Sequence, residues 1–345
     1  MWNKNDKETM SRAKLIHKTH LYKLFRPWFG GVGHVIMFHR IFNEDERLIT
    51  KGLQVSQDYL ENIIKHFIAQ KIDIVSLDEC YRRLTTSKRS KRFVTITFDD
   101  GYLDNLTHAL PVFEKYKVPF SVFVTTGFLN DTSVMWWYLM EDLILNQEEL
   151  SFSYGTQTYE YSLRNDEEKR TAFAKIKTLI LKCKNKTEYM DLLKTVIKNT
   201  DVEMSGLNQK LMLCPDQVRM MSDHPLVTIG AHTVHHMALS AMTEDDAVRE
   251  MKESIAVLEQ ITNKKMEYFA YPYGTAVEAG QREFDIARRC NLKMAFTTEK
   301  RNISRHQAQN IFSIPRLGIN SNLELEHIDF YMNGMSVARD MMFGI

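Results

Sequence analysis

The feature that most constrains the fold is a series of short, almost uninterrupted apolar runs separated by polar segments of helical length. The runs cover residues 34–41, 72–77, 93–98, 119–126, 226–232, 266–272, 293–299 and 310–319. The predicted helices between them cover residues 56–70, 106–117, 243–262 and 279–291. Continuous rather than alternating hydrophobicity indicates strands covered on both faces, as in parallel sheets. The alternation therefore favours a (β/α) barrel, complete or incomplete, over an all-β or all-α fold, and an open doubly wound sheet is the competing arrangement.

Composition narrows the function classes. A chain of 345 residues with 44% hydrophobic residues can bury a large core. Its formal charge of +1 argues against broad electrostatic attachment to nucleic acid. The four cysteines lack the short spacing of a thiolate metal site, which is typical of reduced thiols in a cytoplasmic protein. With no apolar stretch of membrane-spanning length and no signal-like run before Trp28, we expect a cytoplasmic protein.

Two segments depart from the barrel pattern. Residues 1–30 are basic and aromatic, and we expect a helix that packs on the domain, with peripheral membrane contact as the alternative. Residues 31–345 form the predicted barrel domain, which carries a mostly helical insertion at about 133–222. Trp136 and Trp137 begin this insertion, and we expect them to pack in the core rather than line a sugar subsite.

The stretch "FVTITFDDGY" places two carboxylates, Asp99 and Asp100, at the end of a buried run. At about 4 Å and an effective dielectric near 20, two such charges repel by roughly 4 kcal/mol. A divalent cation bound to one of them relieves that repulsion. The other carboxylate is then available as a base.

A second stretch, "GAHTVHH", also follows an apolar run and contains His232 and His236 at positions i and i+4. A tight turn brings both imidazoles to one face. With Asp100 they make a three-ligand set with open positions, suited to Zn²⁺, Fe²⁺, Co²⁺, Mn²⁺ or Ni²⁺. We expect His34 to be structural and His235 to be solvated, with a supporting contact beside His236 as the alternative for His235.

The motifs "TFDDGY", "HTVHH" and "FAYPYG", in this order, resemble the polysaccharide deacetylase (NodB-homology) family, carbohydrate esterase family 4. The resemblance implies a distorted, seven-stranded TIM-like barrel that removes acetyl groups with a divalent metal. It also implies that Asp99 is the general base and that Asp100, His232 and His236 are the metal ligands. The backbone N–H of Tyr273 would help to form the oxyanion hole.

Two positions depart from the family pattern. Ala270 stands where the family commonly has an arginine that holds the base, and Arg316 in "SIPRLG" is the candidate replacement. The usual C-terminal histidine motif is absent after Pro315. Instead "VIMFHRI" resembles the segment of members with circularly permuted motifs, which implies that His39 is the general acid.

We therefore predict a metal-dependent N-deacetylase, with zinc as the expected ion, acting on an N-acetylated carbohydrate such as a glycan precursor. The alternatives are an O-acetyl esterase or deformylase on a carbohydrate, and a catalytically silent carbohydrate-binding protein with the same fold. The motifs specify carbonyl hydrolysis, whereas they hardly specify the acyl group or the sugar.

Overall fold

Seven parallel strands form the centre of the molecule. The computed structural model describes residues 28–42, 49–86, 91–200, 202–204, 206–304, 307, 309–320 and 323–334. The barrel strands are β1 (Gly33–Phe38), β5 (Phe93–Phe98), β6 (Phe120–Val124), β9 (Val227–Ala231), β10 (Tyr268–Ala270), β11 (Met294–Phe296) and β12 (Leu317–Gly318). Short strands β2 (Arg40–Ile41) and β3 (Gln54–Val55) pair with each other, and β4 (Asp73–Ile74) pairs with β5.

The strand order is β11-β10-β9-β6-β5-β1-β12. The chain before β12 returns to the other edge of the sheet, since Ile314 pairs with Phe296 of β11 while Leu317 pairs with Ile36 of β1. The segment from Ile314 to Leu317 thus connects β11 at one edge of the sheet with β1 near the other. The architecture confirms the predicted distorted (β/α) barrel.

Helices cover the outside of the barrel. Those outside the insertion are α1 (Gln57–Ala69), α2 (Leu77–Thr85), α3 (Leu110–Tyr116), α9 (Glu244–Thr262), α10 (Gln281–Arg289) and α11 (Leu325–Met332). Thr243 caps α9 by accepting a hydrogen bond from the Asp246 N–H, and three acidic residues in the first turn complement the helix dipole. This is the helix start that the sequence predicts.

The direction of each side chain follows from strand periodicity. Thr95, Thr97 and Asp99 share one face with Phe93, because alternate residues of a strand point the same way. Phe93 belongs to a buried cluster with Phe123 and Phe296 of other barrel strands. A separate and larger cluster lies between the strands and the surrounding helices. Asp99 therefore stands on the face of β5 that carries the smaller cluster.

The insertion between β6 and β9 is not only helical. Its described residues form a turn of 3₁₀-helix (Thr126–Phe128), a β-hairpin and five helices. The bounds are α4 (Trp136–Leu145), β7 (Glu149–Tyr154), β8 (Gln157–Ser162), α5 (Asp166–Ile180), α6 (Lys186–Ile197), α7 (Leu207–Leu211) and α8 (Pro215–Asp223). The hairpin was not predicted, although its first strand alternates buried and exposed residues with the period of a half-buried strand.

Several predicted boundaries shift. The predicted helix at 106–117 begins as a π-helical turn, Asn105–Ala109, before α3. The predicted strand at 72–77 is reduced to β4, since Ser76 caps α2 by accepting from the Glu79 N–H. Most of the predicted N-terminal segment, residues 1–30, lies outside the described residues. Within the described part of the chain, no helix combines the length and hydropathy needed to cross a bilayer.

Candidate metal centre and active site

The C-terminal ends of the barrel strands bring the predicted site residues to one rim. Asp99 and Asp100 directly follow β5. His232 directly follows β9, and His236 lies further along the same loop. Because the strands are parallel, their carboxyl ends share one edge of the barrel, where polar side chains can converge.

Asp100, His232 and His236 form a buried cluster. Oδ1 of Asp100 lies 3.2 Å from Nε2 of His236 and 3.5 Å from Nε2 of His232. The three potential ligand atoms all lie within 4.8 Å of one another. One carboxylate oxygen and two imidazole nitrogens at this spacing can hold a divalent cation and leave further coordination positions open.

Hydrogen bonding around the cluster also fits a cation. Oδ1 of Asp100 is buried without a hydrogen-bond partner among the described residues, which is costly for a carboxylate oxygen unless an ion contacts it. Nδ1 of His232 lies 2.7 Å from the Ala270 carbonyl oxygen. Since a carbonyl only accepts, Nδ1 carries the proton, and the lone pair on Nε2 faces the cluster.

The electrostatics favour the protonation states that metal ligation requires. Burial would raise the pKa of Asp100, but the imidazoles of His236 and His232 hold it well below its usual value. Burial lowers the pKa of His236 below its usual value, although the Asp100 carboxylate opposes that effect. A charged carboxylate and a neutral imidazole are the forms that bind a metal ion.

Asp99 has a different partner. Arg316, which is fully buried, donates to it through both terminal nitrogens, at 2.6 Å from Nη1 to Oδ1 and 2.8 Å from Nη2 to Oδ2. Nε of Arg316 donates to the Thr297 carbonyl at 3.0 Å. Burial would raise the pKa of Asp99, but the Arg316 guanidinium, together with His232 and His39, lowers it below its usual value. Arg316 thus contacts Asp99, the carboxylate that an arginine at the position of Ala270 would hold according to the family pattern.

His39 directly follows β1 beside the aspartates. Phe38 pairs with Phe98, and the Asp99 N–H donates to the Phe38 carbonyl at 3.0 Å. The imidazole is close enough to lower the pKa of both Asp99 and Asp100. A cavity of about 170 Å³ opens at this side of the rim, and the residues lining it include His39, Lys300, Gly318 and Tyr331.

Tyr273 lies on the loop after β10. Its ring meets that of His236 edge-on, with 4.9 Å between centroids. Its hydroxyl accepts a hydrogen bond from Nε1 of Trp136 at 2.8 Å. Its backbone N–H has no acceptor among the described residues. That free donor is what the predicted oxyanion role requires.

The backbone of the site is strained. Asp100, Thr233, His236 and Tyr273 have positive φ angles of 74°, 63°, 54° and 60°. Side chains disfavour this region, and such residues concentrate at functional sites where the surroundings impose the conformation. Part of that support is local, since Oγ1 of Thr233 accepts from the His236 N–H at 3.0 Å.

Glu250 of α9 provides further support and was missed by the sequence analysis. One carboxylate oxygen accepts from the backbone N–H groups of Val234 and His235, at 3.0 and 2.9 Å. The other lies 2.5 Å from Nδ1 of His235. The prediction of a solvated His235 is therefore wrong, because its ring is buried against this carboxylate. A glutamate three residues after Ala247 on the buried face of the helix was the available signal.

The insertion forms one side of the site. Trp136 and Trp137 are buried, at 2% and 5% exposure, as expected of core residues. They also contact the candidate centre, since the Trp137 ring lies 5.0 Å from that of His236. Oγ of Ser133 donates to the His235 carbonyl at 3.2 Å, which ties the beginning of the insertion to the histidine loop.

This chain belongs to the polysaccharide deacetylase family, whose model matches residues 86–295. The putative polysaccharide deacetylase YxkH of Bacillus subtilis is 18% identical over 302 residues, which cover 87% of this chain and 76% of that protein. The poly-beta-1,6-N-acetyl-D-glucosamine N-deacetylase of Staphylococcus aureus is 30% identical over 111 residues, about a third of each chain, at 32% and 37%.

Solved structures share the fold. The Streptococcus pyogenes deacetylase PplD, in complex with acetate, superposes with a TM-score of 0.56 at 19% identity, over 87% of this chain and 97% of its own. IcaB from Ammonifex degensii gives a TM-score of 0.56 at 16% identity, over 88% and 98% of the two chains. At these identities the likeness establishes a common architecture.

Proposed function

We propose that this protein is a metal-dependent N-deacetylase that releases acetate from an N-acetylated amino-sugar glycan or its precursor. The observation that carries the proposal is the different environment of two adjacent carboxylates. Asp100 faces two imidazole nitrogens, while Asp99 is fixed beside it by a buried guanidinium. A metal ligand set next to an oriented, ionised carboxylate is what metal-assisted amide hydrolysis needs.

Asp100, His232 and His236 would hold the ion. When bound there, a divalent metal, with zinc as the expected ion, supplies a Lewis acid for the acetamide carbonyl and lowers the pKa of a water molecule. Asp99 takes the proton from the attacking water, because its low pKa keeps it ionised. Arg316 fixes both of its oxygens, so the carboxylate cannot rotate away.

Two further groups complete the hydrolysis. The N–H of Tyr273 donates to the oxyanion that forms when water attacks the carbonyl carbon. His39, which directly follows β1 beside the aspartates, protonates the amine as the carbon–nitrogen bond breaks. Acetate and a free amino sugar are the products.

The family supports deacetylation of a carbohydrate, and the Staphylococcus aureus relative supports a glycan of N-acetylglucosamine. The test is acetate release by the zinc-loaded protein from a neutral N-acetylglucosamine tetramer, either β-1,4- or β-1,6-linked, with the metal content measured on the same sample. We expect acetate and a new primary amine. A protein that carries one metal ion per chain and releases no acetate from either tetramer would count heavily against the proposal.

His39 distinguishes an amide from an ester substrate. An amine is a poor leaving group without protonation, so His39→Ala should lower N-deacetylation by about a hundredfold or more. Hydrolysis of an acetyl ester by the same variant should fall much less. Parallel rates on an N-acetyl tetramer and on an O-acetylated sugar measure the difference. If N-deacetylation keeps its full rate, His39 is not the acid.

A further inference from the structure

Helix α5 of the insertion reaches the candidate centre through an aromatic stack. Phe173 of α5 stacks on Trp136, with 5.4 Å between centroids and 29° between the rings. Trp136 in turn donates to the Tyr273 hydroxyl. This side of the rim is therefore built by the insertion, which the barrel itself does not require.

Lys177 lies one helical turn after Phe173 and faces the same way. Its Nζ stands 5.7 Å from the centre of the Tyr273 ring, whose edge contacts His236. The lysine is thus one aromatic ring further out than the metal ligands.

Lys177 has no ion-pair partner among the described residues. Its side chain is exposed to solvent, so the ammonium is open to a group that approaches from outside. The carboxylates of the centre are already occupied, since Asp99 is paired with Arg316 and Asp100 faces the imidazoles. An exposed ammonium held beside the site can pair with a negative group of a bound substrate.

We propose that Lys177 is a specificity-determining residue that binds a negatively charged group, a phosphate or a carboxylate, on the sugar next to the one that is deacetylated. The inference rests on the proposed function and refines its substrate class to an anionic glycan. Phe173, which is partly exposed and stacks on the buried Trp136, gives this subsite an apolar wall, while Lys177 gives it its charge.

Three N-acetylglucosamine tetramers test the inference. One is neutral, one carries a phosphate on a single sugar, and in the third a uronic acid replaces that sugar. We expect the wild-type protein to prefer an anionic tetramer, and the comparison of the two identifies the group. In Lys177→Met, the ratio of kcat/KM for the anionic to the neutral tetramer should fall about tenfold to a hundredfold, mainly through KM. Lys177→Arg should restore most of the ratio.

Lys175 provides a matched control. It lies on the same helix, and its Nζ stands 5.8 Å from the centroid of the Tyr161 ring of the hairpin rather than near Tyr273. Lys175→Met should keep the wild-type ratio. An unchanged ratio in Lys177→Met, or no anionic preference in the wild type, would overturn the inference.

Binding separates this inference from the proposed function. Calorimetric titration of the zinc-loaded Asp99→Asn protein with the anionic tetramer reports the subsite without turnover. If the Lys177→Met substitution abolishes this binding but the wild-type protein releases no acetate, the anionic subsite is supported and the proposed deacetylase activity is rejected. If acetate is released at a rate that depends neither on Lys177 nor on the charge of the substrate, the deacetylase activity is supported and the anionic subsite is rejected.

Discussion

The two halves of the rim treat their carboxylates in opposite ways. On one side, Asp99 receives two short hydrogen bonds from a fully buried arginine. On the other side, Asp100 has a buried oxygen for which the described residues supply no hydrogen-bond donor, and two imidazole nitrogens lie within 3.5 Å of it. One half is complete within the protein, whereas the other has the geometry of a site completed by a cation. Adjacent residues of one motif can thus serve different chemistry because different strands supply their neighbours.

The sharpest way to break this comparison is to neutralise each carboxylate in turn. Asp99→Asn should lower acetate release by about 10²–10⁴-fold while one zinc ion still binds, since the three proposed ligands are untouched. Asp100→Asn removes the only charged ligand, so both activity and stoichiometric zinc binding should be lost. Equilibrium dialysis with metal analysis, alongside an acetate assay, measures both quantities. Equal zinc loss in the two variants would show that the halves are not distinct.

Removing the arginine tests the completed half. Arg316→Met leaves Asp99 buried and unpaired, which should lower the free energy of unfolding by about 3–5 kcal/mol in urea denaturation. Arg301→Met is the control, because Arg301 forms a surface pair with Glu299 at 3.8 Å, and its loss should cost less than about 1 kcal/mol. A cost for Arg316→Met as small as that of the control would contradict a buried charge pair.

The smallest effect tests the support of the metal half. Glu250→Ala removes three contacts to the histidine loop and should weaken zinc binding about 10–100-fold. Glu283 is a matched control, since it is also buried and also caps a backbone N–H, that of Gly280 at 2.8 Å.

Glu250→Ala and Glu283→Ala should each destabilise the protein by about 1–3 kcal/mol, but only the first should change the zinc affinity. Competition with a chromogenic chelator measures that affinity, and urea denaturation measures the stability. Glu250→Gln, which can still accept from the loop, should recover part of the affinity. If both alanine variants bind zinc equally well, Glu250 is merely structural.

The sequence predicted the parts of the rim that follow from strand ends. Continuous apolar runs mark the barrel strands, and the polar residues after them, Asp100 and His232, must then converge. Arg316 was accessible because Ala270 left a carboxylate without its expected partner. The convergence of Asp100 and His232 follows from local pattern and parallel topology, whereas the Arg316 inference also needed the resemblance to the family.

Other features depend on contacts that local pattern does not carry. Glu250 accepts hydrogen bonds from backbone N–H groups of a loop. Its place on the buried face of a helix marks it as unusual, but the sequence does not show which backbone groups it contacts. Lys177 is one of many lysines in the insertion, and only the packing of Phe173 on Trp136 turns it toward Tyr273. The hairpin lies between helical segments, where its alternating pattern was overlooked.

The pairing of Asp99 with Arg316 also has a consequence for biosynthesis. The two residues are 217 positions apart, and Arg316 belongs to the segment that bridges β11 and β1. During synthesis from the N-terminus, strand β5 emerges long before its counter-ion, so the carboxylate stays without this partner until almost the whole barrel domain has been translated. A long-range contact of this kind is expected to form late. The proposed base therefore acquires the partner that orients it only after nearly the whole barrel has been made.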